Sequence, residues 1–242
     1  NPNLEGSYDD PGQAWDVFVK DSLAYVADRS SGLLIINVSD PAHPSLLGSR
    51  DTPGQATDVY VQGNYAYVAD YTSGLQIIDI SDPTNPDSVG SYDTTSTAWG
   101  VFVVDSLVYL ADYDNGLLIF KVNDPAHPEF FGGRNTQGSA KDVFVQDSMA
   151  YVADSYRGMQ IVRVKNPAAP DSVGNFPVAN WTEGLYVAGS YAYLANRTSG
   201  LQIVNVSTPS SPSLVGSYES ADHSFDVCVQ DNLAYVANYQ EG

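Results

Sequence analysis

Apolar positions along the chain recur in short runs rather than in helical stripes. Residues 56–62, Ala-Thr-Asp-Val-Tyr-Val-Gln, are rich in β-branched and aromatic side chains. Residues 65–70, Tyr-Ala-Tyr-Val-Ala-Asp, follow the tight-turn pair Gly63-Asn64, and residues 75–80 follow a Thr72-Ser73-Gly74 turn. A fourth run, 88–92, lies beyond Pro83 and Pro86, which cannot donate to a ladder and so mark a longer loop. No run places apolar residues at i, i+3, i+4 and i+7, and each is too short for a stable helix. The pattern predicts four strands joined as an antiparallel meander.

That meander is repeated. Gly6, Gly48, Gly90, Gly132, Gly174 and Gly216 stand 42 residues apart, as do Tyr25, Tyr67, Tyr109, Tyr151, Tyr193 and Tyr235. Units start near residues 13, 55, 97, 139, 181 and 223, and no linker or change of composition breaks the register over 1–242. A single domain is expected. The strands alternate poorly: Leu33-Leu34-Ile35-Ile36 and Val101-Phe102-Val103-Val104 are apolar on both sides. Such strands suit a sheet covered on both faces, as when each sheet packs between two neighbours in a radial array. The expected fold is all-β, a six-bladed β-propeller of 42-residue, four-stranded antiparallel blades. A parallel β-helix has shorter coils, and leucine-rich repeats need a different consensus.

The register also describes the ends. Asn1 aligns with His43 and Gly242 with Gly32, so the absent part of the sixth blade corresponds to residues 33–42, its third strand. Leu4-Glu5-Gly6-Ser7-Tyr8 is expected as the outer strand of that incomplete blade, closing the ring. Without a third strand the second has an open edge. The chain continues past Gly242, another chain supplies the strand in a dimer or filament, or further blades follow.

Composition narrows the function. Against 29 Asp plus Glu stand 10 Lys plus Arg, a formal charge of −19 that repels phosphate backbones and anionic lipid. Nucleic acid is therefore not an expected partner, and with no run of ~18 apolar residues neither is membrane insertion. The one cysteine, Cys228, lies in an apolar run and reads as a small buried residue. The start, Asn1-Pro2-Asn3, has neither Met nor a signal peptide, as expected of a removed leader or of a fragment of the mature protein. Acidity, few lysines and many Tyr, Ser, Asn and Asp fit an extracellular or cell-surface protein.

Because the copies share one scaffold, what repeats and what varies can be separated. Asp28, Asp70, Asp112, Asp154, Asn196 and Asn238 each precede a glycine four residues on, a place where an Asx side chain caps a turn. Asp16, Asp58, Asp142 and Asp226 begin inner strands and are expected to bond neighbouring backbone amides. Gly100 and Gly184 interrupt that series, which weakens a calcium ring there. The variable positions fall in two loops expected on one rim. The entry loops carry Trp15, Trp99, Trp181, Lys141, Glu183 and His223. The loops after the second strand carry Arg29, Tyr71, Tyr113, Tyr156 with Arg157, Arg197 and Tyr239. Trp, Tyr and Arg dominate binding hot spots. Ordinary loop drift, with the tryptophans packing at the mouth of the ring, gives the same composition.

Other chemistry is sparse. Asp112-Tyr113-Asp114-Asn115-Gly116 spaces oxygen ligands as calcium loops do but lacks the downstream bidentate Glu, so Asp112 and Asp114 are weak candidates and no other cofactor is expected. Glycosylation triplets occur at Asn37, Asn180, Asn196 and Asn205. Of the three histidines, His43 and His127 read as turn residues on the opposite face, and His223 lies on the rim. There is no Gly-x-Ser-x-Gly, His-Glu-x-x-His, Cys-x-x-Cys or phosphate-cradling loop. The aspartate box of six-bladed sialidases is absent too. Two carboxylates at a propeller mouth can still cleave a glycoside, and Glu183 with Asp16 or Asp142 would be the pair.

Tyr67-Val68-Ala69-Asp70, then Gly74-Leu75-Gln76-Ile77-Ile78-Asp79-Ile80-Ser81-Asp82-Pro83, resemble the LVIVD-repeat propeller family across the whole chain. Tyr235-Val236-Ala237-Asn238 is similar to YVTN-type surface propellers. Both resemblances imply secreted or cell-surface proteins, mostly without an assigned activity. The expected function is a non-catalytic module binding a protein or polysaccharide through the rim. The alternatives are a self-assembling filament or surface-layer subunit using the open edge, and, third, a glycosidase-like hydrolase.

Overall fold

The computed structural model describes residues 3–9, 12–220 and 222–239, and these contain strands and no helix. Five four-stranded antiparallel sheets, each a meander in chain order, are followed by a two-stranded sheet. The first blade consists of Ala14–Lys20, Leu23–Asp28, Gly32–Asn37 and Ser45–Arg50. The later inner strands are Asp58–Gln62, Gly100–Val104, Asp142–Gln146, Gly184–Ala188 and Ser224–Gln230. In the fourth blade Tyr151 sits opposite both Phe144 and Ile161, and a bulge after Ile161 shifts the register onto the outer strand. The expected all-β, blade-by-blade architecture is what the chain forms.

The chain divides into two compact units, residues 1–107 with 121–129, and residues 108–120 with 130–242. Within the first, Tyr25, Leu33 and Ile35 of one blade pack on Ala56, Val59, Val61, Ala66 and Val68 of the next. Within the second, Tyr151, Met159 and Ile161 pack on Leu185, Val187 and Leu194. Strands apolar on both faces are buried on both faces, at roughly 1.5–3 kcal/mol for each large aliphatic side chain removed from water.

Polar bonds fix the step between blades. Val59 N–H donates to Asp16 Oδ2 at 3.1 Å, Val101 N–H to Asp58 Oδ2 at 2.5 Å and Leu185 N–H to Asp142 Oδ2 at 2.8 Å. At the far end of the same strands, Lys20, Gln62 and Gln146 donate to the carbonyls of Gly63, Asp105 and Gly189. Each carboxylate thus satisfies an amide on the neighbouring inner strand, as its place in the repeat led one to expect. Between them runs an aromatic column: Phe18–Tyr60 at 4.9 Å and Tyr60–Phe102 at 4.8 Å in the first unit, Phe144–Tyr186 at 4.8 Å in the second.

The ends of the array depart from the interior. Leu4–Tyr8, expected as an outer strand, carries no strand among the described residues. The segment still follows an outer-strand course: Gly6 lies against the Pro41 carbonyl as Gly48 lies against that of Pro83. Tyr8 packs on Ala24, Val26, Leu34 and Ile36. A Cβ on Gly216, the last of the six, would meet nothing within 4 Å. Val17 is 55% exposed where its equivalent Val59 is 2% exposed. Cys228 is exposed, not buried as its apolar neighbours suggested, because its two-stranded sheet buries few of its side chains. It occupies the register position of the column aromatics. Gly242 falls outside the described residues.

Candidate binding rim

The two variable loops do share an edge. Tyr71 bridges to Ala98, Tyr113 to Ala140, Ser155 to Thr182 and Arg197 to Ser224, so the loop after each second strand is stitched to the next entry loop. These bridging residues have φ of 48°, 33°, 47° and 29°, in the left-handed region. Each costs on the order of 1 kcal/mol, and paired backbone on both sides holds it there. The bridging position of the fourth blade belongs to Ser155. Tyr156, grouped with Tyr71 and Tyr113 on sequence, lies one residue beyond that position, because the register counts from Asp154. The turn itself is closed by Gly32, Gly74, Gly116, Gly158 and Gly200, with φ of 66° to 77°.

Within the first unit the rim side chains form one continuous cluster. Trp15 and Trp99, two repeats apart with small Thr57 between, meet at 5.3 Å with ring planes tilted by 45°. Tyr71 stands edge-on to Trp99 at 5.4 Å, and the Trp99 indole donates to Thr97 Oγ1. The Arg29 guanidinium lies over Trp15 at 5.2 Å while its Nε donates to Gln55 Oε1 at 2.6 Å. Beside it opens a cavity of about 560 Å³ lined by Gly12, Gln13, Arg29, Ser30, Gly54 and Gln55. Trp15 remains 45% exposed. Amide, hydroxyl and guanidinium groups thus converge next to half-exposed aromatic rings.

The second unit collects charge as well as rings. Arg197 lies over Trp181 at 4.3 Å and ion-pairs through Nε with Glu183. Lys141 sits over Tyr113 at 5.1 Å. Burial holds the Lys141 amine down to about 8, with Arg197 adding to the fall and Glu183 opposing it. Arg157 and Tyr156 pair separately at 5.8 Å, Tyr156 donating to the Gln137 carbonyl. His223 stacks with Phe225, and Phe225 meets Tyr239. The structure therefore groups Trp15, Trp99, Tyr71 and Arg29, groups Trp181 with Arg197, and leaves Tyr156–Arg157 and His223 as outlying pairs. Gln13 and Gln55 were not singled out on sequence, and Lys141 was read as an entry-loop residue without a binding role. The signal was there: Lys141 is the register equivalent of Trp99, and Gln55 that of Gln13.

The turn carboxylates reach further than their own turns. Asp28 accepts from Ser30 and Ser31 N–H and, across to the entry loop, from Gln13 N–H. Asp70 accepts from Thr52 Oγ1–H and Gly54 N–H, Asp154 from Thr136 Oγ1–H, and Asn196 from Thr182 Oγ1–H. All four are fully buried. Asp112 accepts from Asn115 Nδ2, and the Asp114 carbonyl from Asn135. Among the described residues no group of three or more His, Cys, Asp or Glu is placed to hold a metal ion. Of the carboxylates considered for glycoside cleavage, Glu183 is ion-paired and Asp16 and Asp142 hold neighbouring amides. His43 and His127 hydrogen-bond Asp40 and Asp124 within exposed turns. Asn196, one of four glycosylation triplets, is buried and hydrogen-bonded, so the folded chain does not offer it to a transferase.

The LVIVD-repeat family model matches residues 11–52, 53–94, 96–136, 137–178 and 181–220, and the chain belongs to this family of repeat β-propellers. A search of curated proteins returned no match. Among solved structures, the computationally designed Ika8 protein is similar with a TM-score of 0.73 at 7% identity, over 94% of this chain and 68% of that one. A functionally unknown protein from Desulfotomaculum acetoxidans DSM 771 is similar with a TM-score of 0.68 at 14% identity, over 86% and 70%. The designed Ika4 protein aligns with a TM-score of 0.56 at 8% identity, over 68% and 99%. At these identities the likeness is one of fold.

Proposed function

We propose that this chain is a non-catalytic binding module, acting outside the cytoplasm, whose rim takes a protein or polysaccharide. The observation that carries the reading is the Arg29–Trp15–Trp99–Tyr71 cluster beside a 560 Å³ cavity. Its volume lies in the range of ligand pockets, and its own lining is polar, with the aromatic rings standing beside it. Rings fixed by one another stack on a sugar or an apolar side chain at little cost in conformational freedom. Location outside the cytoplasm is supported by the acidic composition and by the resemblance to secreted and surface propellers. The test is a glycan array and a panel of surface proteins, read with the native chain and with Trp15→Ala/Trp99→Ala. The double variant should keep its fold and lose the ligands that the native chain captures. Retained ligands, or an unfolded variant, would show these rings to be packing.

A further inference from the structure

The rim of the second unit holds a charge arrangement that the platform on the first unit lacks. Arg197 ion-pairs with Glu183, whose side chain is only 9% exposed, and the charges of both act on the half-buried amine of Lys141. Arg197 is presented from fixed backbone: its N–H and carbonyl are both bonded to Ser224, at 3.1 Å each. Its Nε is engaged by Glu183, and no described hydrogen bond uses its two Nη groups, which together have the spacing that grips a carboxylate bidentately. Trp181, under the guanidinium, stays 42% exposed. In a molecule of charge −19, a half-buried trio with a surplus positive charge is unusual, and the field around it works against long polyanions. A ligand meeting the site with a single carboxylate escapes most of that repulsion, which salt screens beyond about 10 Å.

Resting on the binding role proposed above, we propose that Lys141, Glu183 and Arg197 form the subsite for one carboxylate of a uronic-acid unit in a polysaccharide, with Trp181 stacking on the sugar ring. The sugar is preferred to an acidic peptide because the carboxylate grip adjoins a broad exposed indole, which suits the C–H face of a pyranose. An anion bound here adds opposite charge near Lys141, whose amine burial holds at about 8.

Digalacturonic acid, its dimethyl ester and an Asp/Glu peptide of equal charge are titrated against the native chain and Arg197→Gln at physiological salt. In parallel, each lysine's rate of acetylation at pH 8 is followed by peptide mass spectrometry. Digalacturonate is expected to bind, with affinity falling about tenfold for the ester and about tenfold in Arg197→Gln. It should also slow acetylation of Lys141 about fivefold while leaving Lys20, Lys121 and Lys165 unchanged. The acetylation readout uses the native chain and so survives a variant that fails to fold. Equal binding of the ester, preference for the peptide, or unprotected Lys141 would overturn the subsite. If another ligand still depends on Trp15 and Trp99, the broader binding role stands without this one. If no ligand does, both fall.

Discussion

Asp154 shows how much one side chain depends on its repeat. It is fully buried and accepts from Thr136 Oγ1–H, and burial pushes its carboxyl up to about 6. A group whose folded value exceeds its unfolded one lends stability that is complete below the unfolded value, near 3.8, and is lost as pH rises through about 6. Above that, the ionised carboxylate is held at a cost of about 1–2 kcal/mol. The fifth and sixth blades have asparagine here, and Asn196 Oδ1 accepts from Thr182 Oγ1–H while its Nδ2 donates to Gln202. Gln160 is the register equivalent of Gln202. Asp154→Asn should therefore raise the melting temperature at pH 8 and flatten the decline between pH 4 and 6.5, measured by calorimetry across pH. An unchanged pH profile would exclude Asp154 as its source. The turn role of these Asx residues was legible from the glycine four positions on. Their second bond was legible only in part: Thr52 and Thr136 each stand 18 residues before their partner, a spacing that could have been read, whereas Thr182 stands 14 before Asn196 and breaks it.

At the scale of the strand, the inner-strand aspartates set the step from blade to blade. Asp142 accepts from Val143 N–H at 2.6 Å and Leu185 N–H at 2.8 Å, and Leu185 is buried. Asp142→Ala leaves that amide without its acceptor, at a cost of about 1–3 kcal/mol. Urea denaturation should register this loss, whereas Asp40→Ala, in an exposed turn, should cost well under about 1 kcal/mol. Equal effects would mean that the inter-blade bond contributes nothing beyond a surface turn. Strand positions were readable because residues separated by one repeat play one role in every copy. Exposure was not: Val17 follows the same apolar pattern as the buried Val59, and Cys228 the pattern of the half-buried column aromatics, yet both are exposed. The one-residue displacement of Tyr156 from Tyr71 and Tyr113 was likewise visible in the register, but its residue type masked it.

Over the molecule as a whole, Arg29 in the first unit and Lys141, Arg157 and Arg197 in the second lie in the variable loops, and each sits over an aromatic face, in a chain with only 10 Lys plus Arg. Cation–π pairing of this kind contributes about 0.5–2 kcal/mol per pair and fixes the cations without neutralising them. Scaffold positions repeat while rim positions diverge, the distribution expected when one face is under a different constraint from the rest. The binding role is tested most directly by the three indole N–H signals in an 15N-correlated spectrum, since Trp15, Trp99 and Trp181 are the chain's 3 tryptophans and all lie on the rim. On titration with any ligand captured by the native chain, at least one indole signal should move in step with occupancy. A ligand that saturates the protein while all of them stay still would place recognition elsewhere and contradict the assignment.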